Sequence, residues 1–156
     1  MTVSKSRYSL WIVWISVLAF SGGCEKKEIN ENDLQCPVTA KEGSDDDIID
    51  KWKLVKVNII KLAEEIRMED YSCDDIIYHF REDRSLLISG VEDGMPVRQN
   101  GEYPFELIDS VLYENMDYDY TLKIGSQKIA CDIEDNAMIL DASPLDGNTL
   151  YFVRAE

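Results

Sequence analysis

From Lys51 to the end of this 156-residue chain, apolar residues recur at every second position in short runs, a period that predicts an all-β domain. Two further observations narrow the class. Turn-forming residues separate most runs by tight or moderate connections, so sequence neighbours pair antiparallel. The runs number eight, the count that closes a small up-and-down barrel whose interior is either filled or holds one small ligand, and closure removes unpaired edges. The expected fold is an eight-stranded antiparallel up-and-down β-barrel over residues 48–156.

In the first strand Trp52 and Leu54 share a face, and the phase then slips so that Val55, Val57 and Ile59 continue it. Such a slip predicts a bulge or sharp bend. Ile60 to Met68 (IKLAEEIRM) spaces Ile60, Ala63 and Ile66 by three and reads as a short helix or an ordered loop. Ile76, Tyr78 and Phe80 alternate against Ile77, His79 and Arg81. Glu82-Asp83 turns the chain into Leu86 and Ile88, which end at Gly90. Glu92 to Gly101 holds two glycines and a proline and reads as a long loop. Tyr103, Phe105 and Leu107 make the next face, and Tyr118, Tyr120, Leu122 and Ile124 the one after, closed by Gly125-Ser126. Ile129, Cys131 and Ile133 follow, then a turn at Glu134-Asp135-Asn136, then Met138 and Leu140. Pro144 and Asp146-Gly147-Asn148 precede the last face, Leu150, Phe152 and Arg154.

The region before the barrel reads as an address and a leash. Lys5 and Arg7 precede an apolar run from Ser9 to Phe20, and Ser21-Gly22-Gly23 then leads into Cys24. These are the charged start, apolar core and small-residue cleavage site of a secretory signal, and the core is shorter than the roughly 20 residues of a membrane-spanning helix. A cysteine directly after the small residues points to a bacterial lipoprotein, cut before Cys24 and acylated there, which places the chain in the cell envelope, at the outer membrane. Ser21 stands where a leucine is common in such sites, and a plain secretory signal is the alternative. Residues 24–47 are polar and charged and read as a flexible tether. Asp45, Asp46, Asp47 and Asp50 lack the spaced loop and closing glutamate of a calcium site.

Residues 1–23 hold two bases, Lys5 and Arg7, and no acid. The remaining 133 residues therefore carry 31 acids against 14 bases, a formal charge of −17. That charge excludes nucleic acid as a natural partner and disfavours anionic headgroups, so the membrane is reached through the acyl anchor alone. Its ordinary role is solubility; cation binding or a basic protein partner is the other use. Beyond Cys24 three cysteines remain, Cys36, Cys73 and Cys131, in an oxidising compartment. Cys73 with Cys131 is the favoured pair, because Cys36 lies in the polar tail; two free buried thiols are the alternative. No spacing suggests a metal site.

Two ends of the pattern carry a resemblance. Asp50-Lys51-Trp52-Lys53-Leu54 opens the first strand and Leu150-Tyr151-Phe152-Val153-Arg154 closes the last. Together with Tyr71-Ser72-Cys73-Asp74-Asp75-Ile76-Ile77-Tyr78-His79-Phe80, this resembles the lipocalin-like lipoproteins of the Bacteroides group over residues 48–156. The resemblance implies a lipocalin-like barrel in which Arg154 lies over the ring of Trp52 at the closed end, a structural cation–π pair. Asp50 stands where the lipocalin motif has glycine.

Chemistry is sparse. His79, the one histidine, alternates away from Ile76, Tyr78 and Phe80 and points outward, with no motif placing a nucleophile beside it. Phosphate loops and nucleotide or zinc-protease signatures are missing from the sequence, so no catalytic residue, metal or cofactor is assigned. The better lead is aromatic. Tyr78, Phe80, Tyr103, Phe105, Tyr118, Tyr120 and Phe152 would line a cavity for a small apolar or amphipathic ligand, or would simply fill the barrel. The expectation is a monomeric, non-enzymatic envelope protein that binds such a ligand. The competitor is an interaction module with a filled barrel, contacting another envelope or exported protein.

Overall fold

A computed structural model describes residues 33–44, 47–60, 67–110, 112, 118–134 and 136–156. The alternating runs form β1 (Lys51–Ile59), β3 (Ile77–Phe80), β4 (Ser85–Ser89), β5 (Gly101–Ile108), β6 (Tyr120–Ile124), β7 (Gln127–Glu134), β8 (Ala137–Asp141) and β9 (Thr149–Ala155), with an added β2 (Arg67–Asp70). All pairings are antiparallel, in the order β2-β1-β3-β4-β5-β6-β7-β8-β9, and β9 returns to pair with β1. Eight strands thus close the predicted barrel, and β2 is the extra one.

β1 is the seam. One edge runs along β9 from Lys51↔Ala155 to Asn58↔Thr149, and its register shifts between Leu54 and Lys56. This is the bulge the phase slip predicts: Leu54 and Val57, three residues apart, both face the core across the shift, although Val55 itself does not join them there. The other edge is divided, Lys51–Lys53 pairing with β3 and Lys56–Ile59 with β2. Here the sequence reading needs correction. Of the expected helix or loop Ile60–Met68, residues 61–66 lie outside the described residues, and Arg67 and Met68 belong to β2. The strand read from Tyr118 begins only at Tyr120.

The inward faces meet as alternation dictates. Trp52, Leu54, Tyr78, Phe80, Leu86, Ile88, Leu122, Ile124, Met138 and Phe152 are at most 2% exposed. At about 1.5–3 kcal/mol for each fully buried large side chain, this interior is the main source of stability. Gly90, at φ +81°, follows β4 where a Cβ would stand 2.0 Å from the carbonyl oxygen of Asp75, so only glycine lets the chain pass there.

The segment expected as part of a free tether is instead a strap from Leu34 to Lys41. Leu34, Cys36, Val38 and Ala40 are half-buried, while Asp33, Gln35, Pro37 and Thr39 are exposed. A disulfide joins Cys36 to Cys73, with Cα atoms 5.1 Å apart. The Gln35 N–H donates to Asp70 Oδ2 (2.9 Å), the Cys36 N–H to Ser72 Oγ (3.0 Å) and the Lys41 N–H to the Arg154 carbonyl (3.0 Å). Cys73 lies between β2 and β3 and Arg154 on β9, with β1 between them, so residues 37–40 cross the outer face of β1. Val55 and Val153 point outward there, yet they are 0% and 2% exposed.

Candidate functional site

The expected disulfide Cys73–Cys131 does not form. Cys131 sits on β7 between Ile129 and Ile133, faces the barrel interior and is free and fully buried; burial pushes its thiol well above the ordinary range. Cys73 lies on the far side of the barrel wall, in the β2–β3 connection, within reach of Cys36. The signal for that pair was the period-two run Leu34-Gln35-Cys36-Pro37-Val38-Thr39-Ala40, whose apolar members are small and embedded in polar sequence.

The aromatic candidates divide. Tyr78 and Phe152 meet at a tilt of 53° with ring centroids 4.8 Å apart, and Phe80 and Phe105 meet edge to face at 4.9 Å. Both pairs belong to the core inside the barrel. Tyr103 and Tyr120 are half-buried against the same core. Tyr103 lies beneath the Arg98 guanidinium at 5.1 Å and donates its hydroxyl to the Gln99 carbonyl. Tyr118 is a correction: it is not in the interior but in a second cluster with Ala130, Ile139 and Tyr151. Ala130 and Ile139 alternate with inward Cys131 and Leu140, so the cluster lies on the outer wall. Tyr118 precedes β6, and strand alternation does not bind a residue outside the strand.

That outer cluster holds a buried carboxylate. Asp141, 3% exposed, accepts hydrogen bonds from the Tyr118 hydroxyl (2.5 Å), the Thr149 hydroxyl (2.8 Å) and the Ser143 N–H (2.9 Å). Burial alone would raise its pKa, but the three donors outweigh burial and hold it below the ordinary carboxylate value. Burial and the nearby carboxylate raise the Tyr118 hydroxyl, which stays a donor at neutral pH.

Both barrel ends are covered. At the end holding the chain's entry into β1, Arg154 lies 4.4 Å over the Trp52 ring, as the resemblance implies. Its Nη2 donates to the carbonyls of Ser44 (2.8 Å) and Asp47 (2.9 Å), its Nη1 faces Asp50 Oδ2 at 3.5 Å, and the Trp52 indole N–H donates to the Ile48 carbonyl (2.8 Å). Asp50 also holds Lys41 at 2.9 Å; burial works against its charge, but these partners keep its pKa low. Asp47 Oδ1 accepts the Ile49 N–H, so Asp47 and Asp50 are committed to the chain itself; Asp45 and Asp46 lie outside the described residues. At the other end, residues 91–100 cover the opening, with Met95 and Val97 against the core. Asn148 donates to the Pro96 carbonyl (2.8 Å), Arg98 to Gln127 (2.6 Å) and Asn100 to the Val91 carbonyl (2.8 Å).

An open cleft of about 590 Å³ lies outside the barrel at the Trp52 end, lined by Lys41, Ile49, Asp50, His79, Arg81 and Asp83 among others. His79 is on the outer wall beside Lys51, as its alternation predicts. Among the described residues no group of three His, Cys, Asp or Glu is placed to hold a metal. Cys24 lies outside the described residues. No protein-family model, curated protein or solved structure matches the chain.

Proposed function

We propose that this chain is an envelope lipoprotein, anchored through Cys24, that works as a non-enzymatic interaction module presenting the outer surface of a filled barrel to another envelope or exported protein. One observation carries the reading. Four of the rings that would line a ligand cavity pack in two pairs within the core, Tyr78 with Phe152 and Phe80 with Phe105 at 4.8–4.9 Å, and side chains cover both ends. A carrier of small apolar ligands needs these rings to stand apart around a void. The outer surface carries the charge that reaches a basic partner over distance and weakens with salt.

Titration with N-phenyl-1-naphthylamine tests the choice. A filled barrel gives no saturable fluorescence rise; a saturable one-to-one rise would return the carrier reading to first place. The anchor is tested separately with Cys24→Ser, which is expected to lose both incorporated fatty acid and membrane fractionation. Unchanged fractionation would overturn the anchor.

A further inference from the structure

Sequence alone suspends the barrel from Ile48, at the entrance to β1. The chain is in fact fastened well before that. Cys36 is bonded to Cys73, its N–H is held by Ser72, and the preceding N–H is held by Asp70. Only residues 37–40 separate this fastening from the next, Lys41 on Arg154, and of these Val38 and Ala40 are half-buried. The strap therefore has no slack to release toward the amino terminus.

The geometry points to a tether clamp: the Cys36–Cys73 bond makes Cys36, on the β2–β3 side of the wall, the point from which the barrel hangs, and so holds the barrel near the bilayer. This rests on the proposed acyl anchor at Cys24. The covalent reach decides the size of the effect. From Cys24 to Cys36 a fully extended chain spans at most roughly 40 Å, whereas from Cys24 to Ile48 it would span roughly 80 Å. The clamp halves the leash.

The full acylated protein carries its own probe. Trp52 is the sole tryptophan after residue 23, so its energy transfer to dansyl-phosphatidylethanolamine in phosphatidylcholine vesicles reports the distance to the bilayer. Twelve Gly/Ser residues inserted after Asn32 lie before the clamp and double the permitted reach, which is expected to lower transfer below the wild-type level. The same insertion after Glu42 lies behind the clamp and is expected to leave transfer at the wild-type level. Insertion after Ser44 is a second variant behind the clamp, and an unchanged Trp52 emission maximum identifies the variants that keep the fold. Equal loss from insertions before and behind the clamp would overturn it while leaving the anchor in place, and so would no loss from any of them. A wild-type protein that fails to float with the vesicles would overturn the anchor, and the clamp with it.

Discussion

The two ends of the barrel are closed by different physics. At the Trp52 end a buried guanidinium, 2% exposed, ties β9 to residues 44–52 through an aromatic face, two carbonyls and a carboxylate, and the covalent strap runs in beside it. At the opposite end residues 91–100 lie over the core on a few apolar contacts and neutral or exposed hydrogen bonds. A buried cation held by carbonyls, a carboxylate and a ring fails as a unit when one member goes, whereas single neutral bonds break one at a time. The first end is therefore a lock. The second is the place where local opening begins.

The largest expected effect comes from the strap. The Cys36→Ser/Cys73→Ser pair opens a covalent loop with a sequence separation of 37, and loop-closure entropy puts its cost at about 4 kcal/mol. Urea unfolding measures it, and a loss under 1 kcal/mol would show that the strap stays docked without the bond. Next comes Arg154→Met, which keeps the packing volume but leaves the Ser44 and Asp47 carbonyls without their donor and Trp52 without its cover. About 3 kcal/mol is expected. Arg154→Lys should recover only a small part, since one ammonium cannot reach both carbonyls and also lie flat on the indole. Full recovery by lysine would show that charge alone closes this end.

Asp141 ties the β8–β9 connection, and with it Asn148, to the outer wall. Asp141→Asn leaves a donor facing the Tyr118 hydroxyl and is expected to cost about 2 kcal/mol at neutral pH. The native carboxyl titrates below its unfolded value of about 3.9, so its contribution is complete above about pH 5 and disappears as pH falls through the depressed native value. The gap in melting temperature between wild type and variant should thus begin to narrow as pH falls below about 4. A gap that does not narrow at all as the wild type is acidified would show that shape, not charge, holds this cluster.

The barrel was legible because it rests on a strong periodic signal, whereas the Trp52–Arg154 lock was legible only as what the lipocalin-like resemblance implies. Large inward residues alternate along β1, β3, β6, β7 and β9, and Trp52 and Arg154 sit at the ends of two of those runs. β2 was not legible: Arg67-Met68-Glu69-Asp70 buries no complete face, so pairing with Lys56–Ile59 leaves no period-two trace. The strap had a trace, but a weak one, because its inward residues are small and only half-buried. Tyr118 misled for the opposite reason. It continues the spacing of Tyr120, Leu122 and Ile124 one step beyond the strand, where backbone geometry no longer assigns its side chain to a face. The disulfide followed from these errors, since without the strap Cys36 had no place beside the barrel.

The smallest effect gives the sharpest contrast between the ends. Asn148→Ala removes the bond to the Pro96 carbonyl and the acceptor for the Ile60 N–H, worth together about 1 kcal/mol. Because residues 91–100 have few other fastenings, the loss should appear as local opening: amide exchange within that loop rises about fivefold, while exchange in β1 and β9 is unchanged. The same variant probes the interior. A loop loosened over a filled barrel exposes Met95 and Val97 to solvent but admits no ligand, so N-phenyl-1-naphthylamine should still fail to saturate. Saturable binding in Asn148→Ala alone would mean that the loop, rather than the packing of Tyr78 on Phe152, keeps ligands out. The two ends would then differ in function as well as in strength.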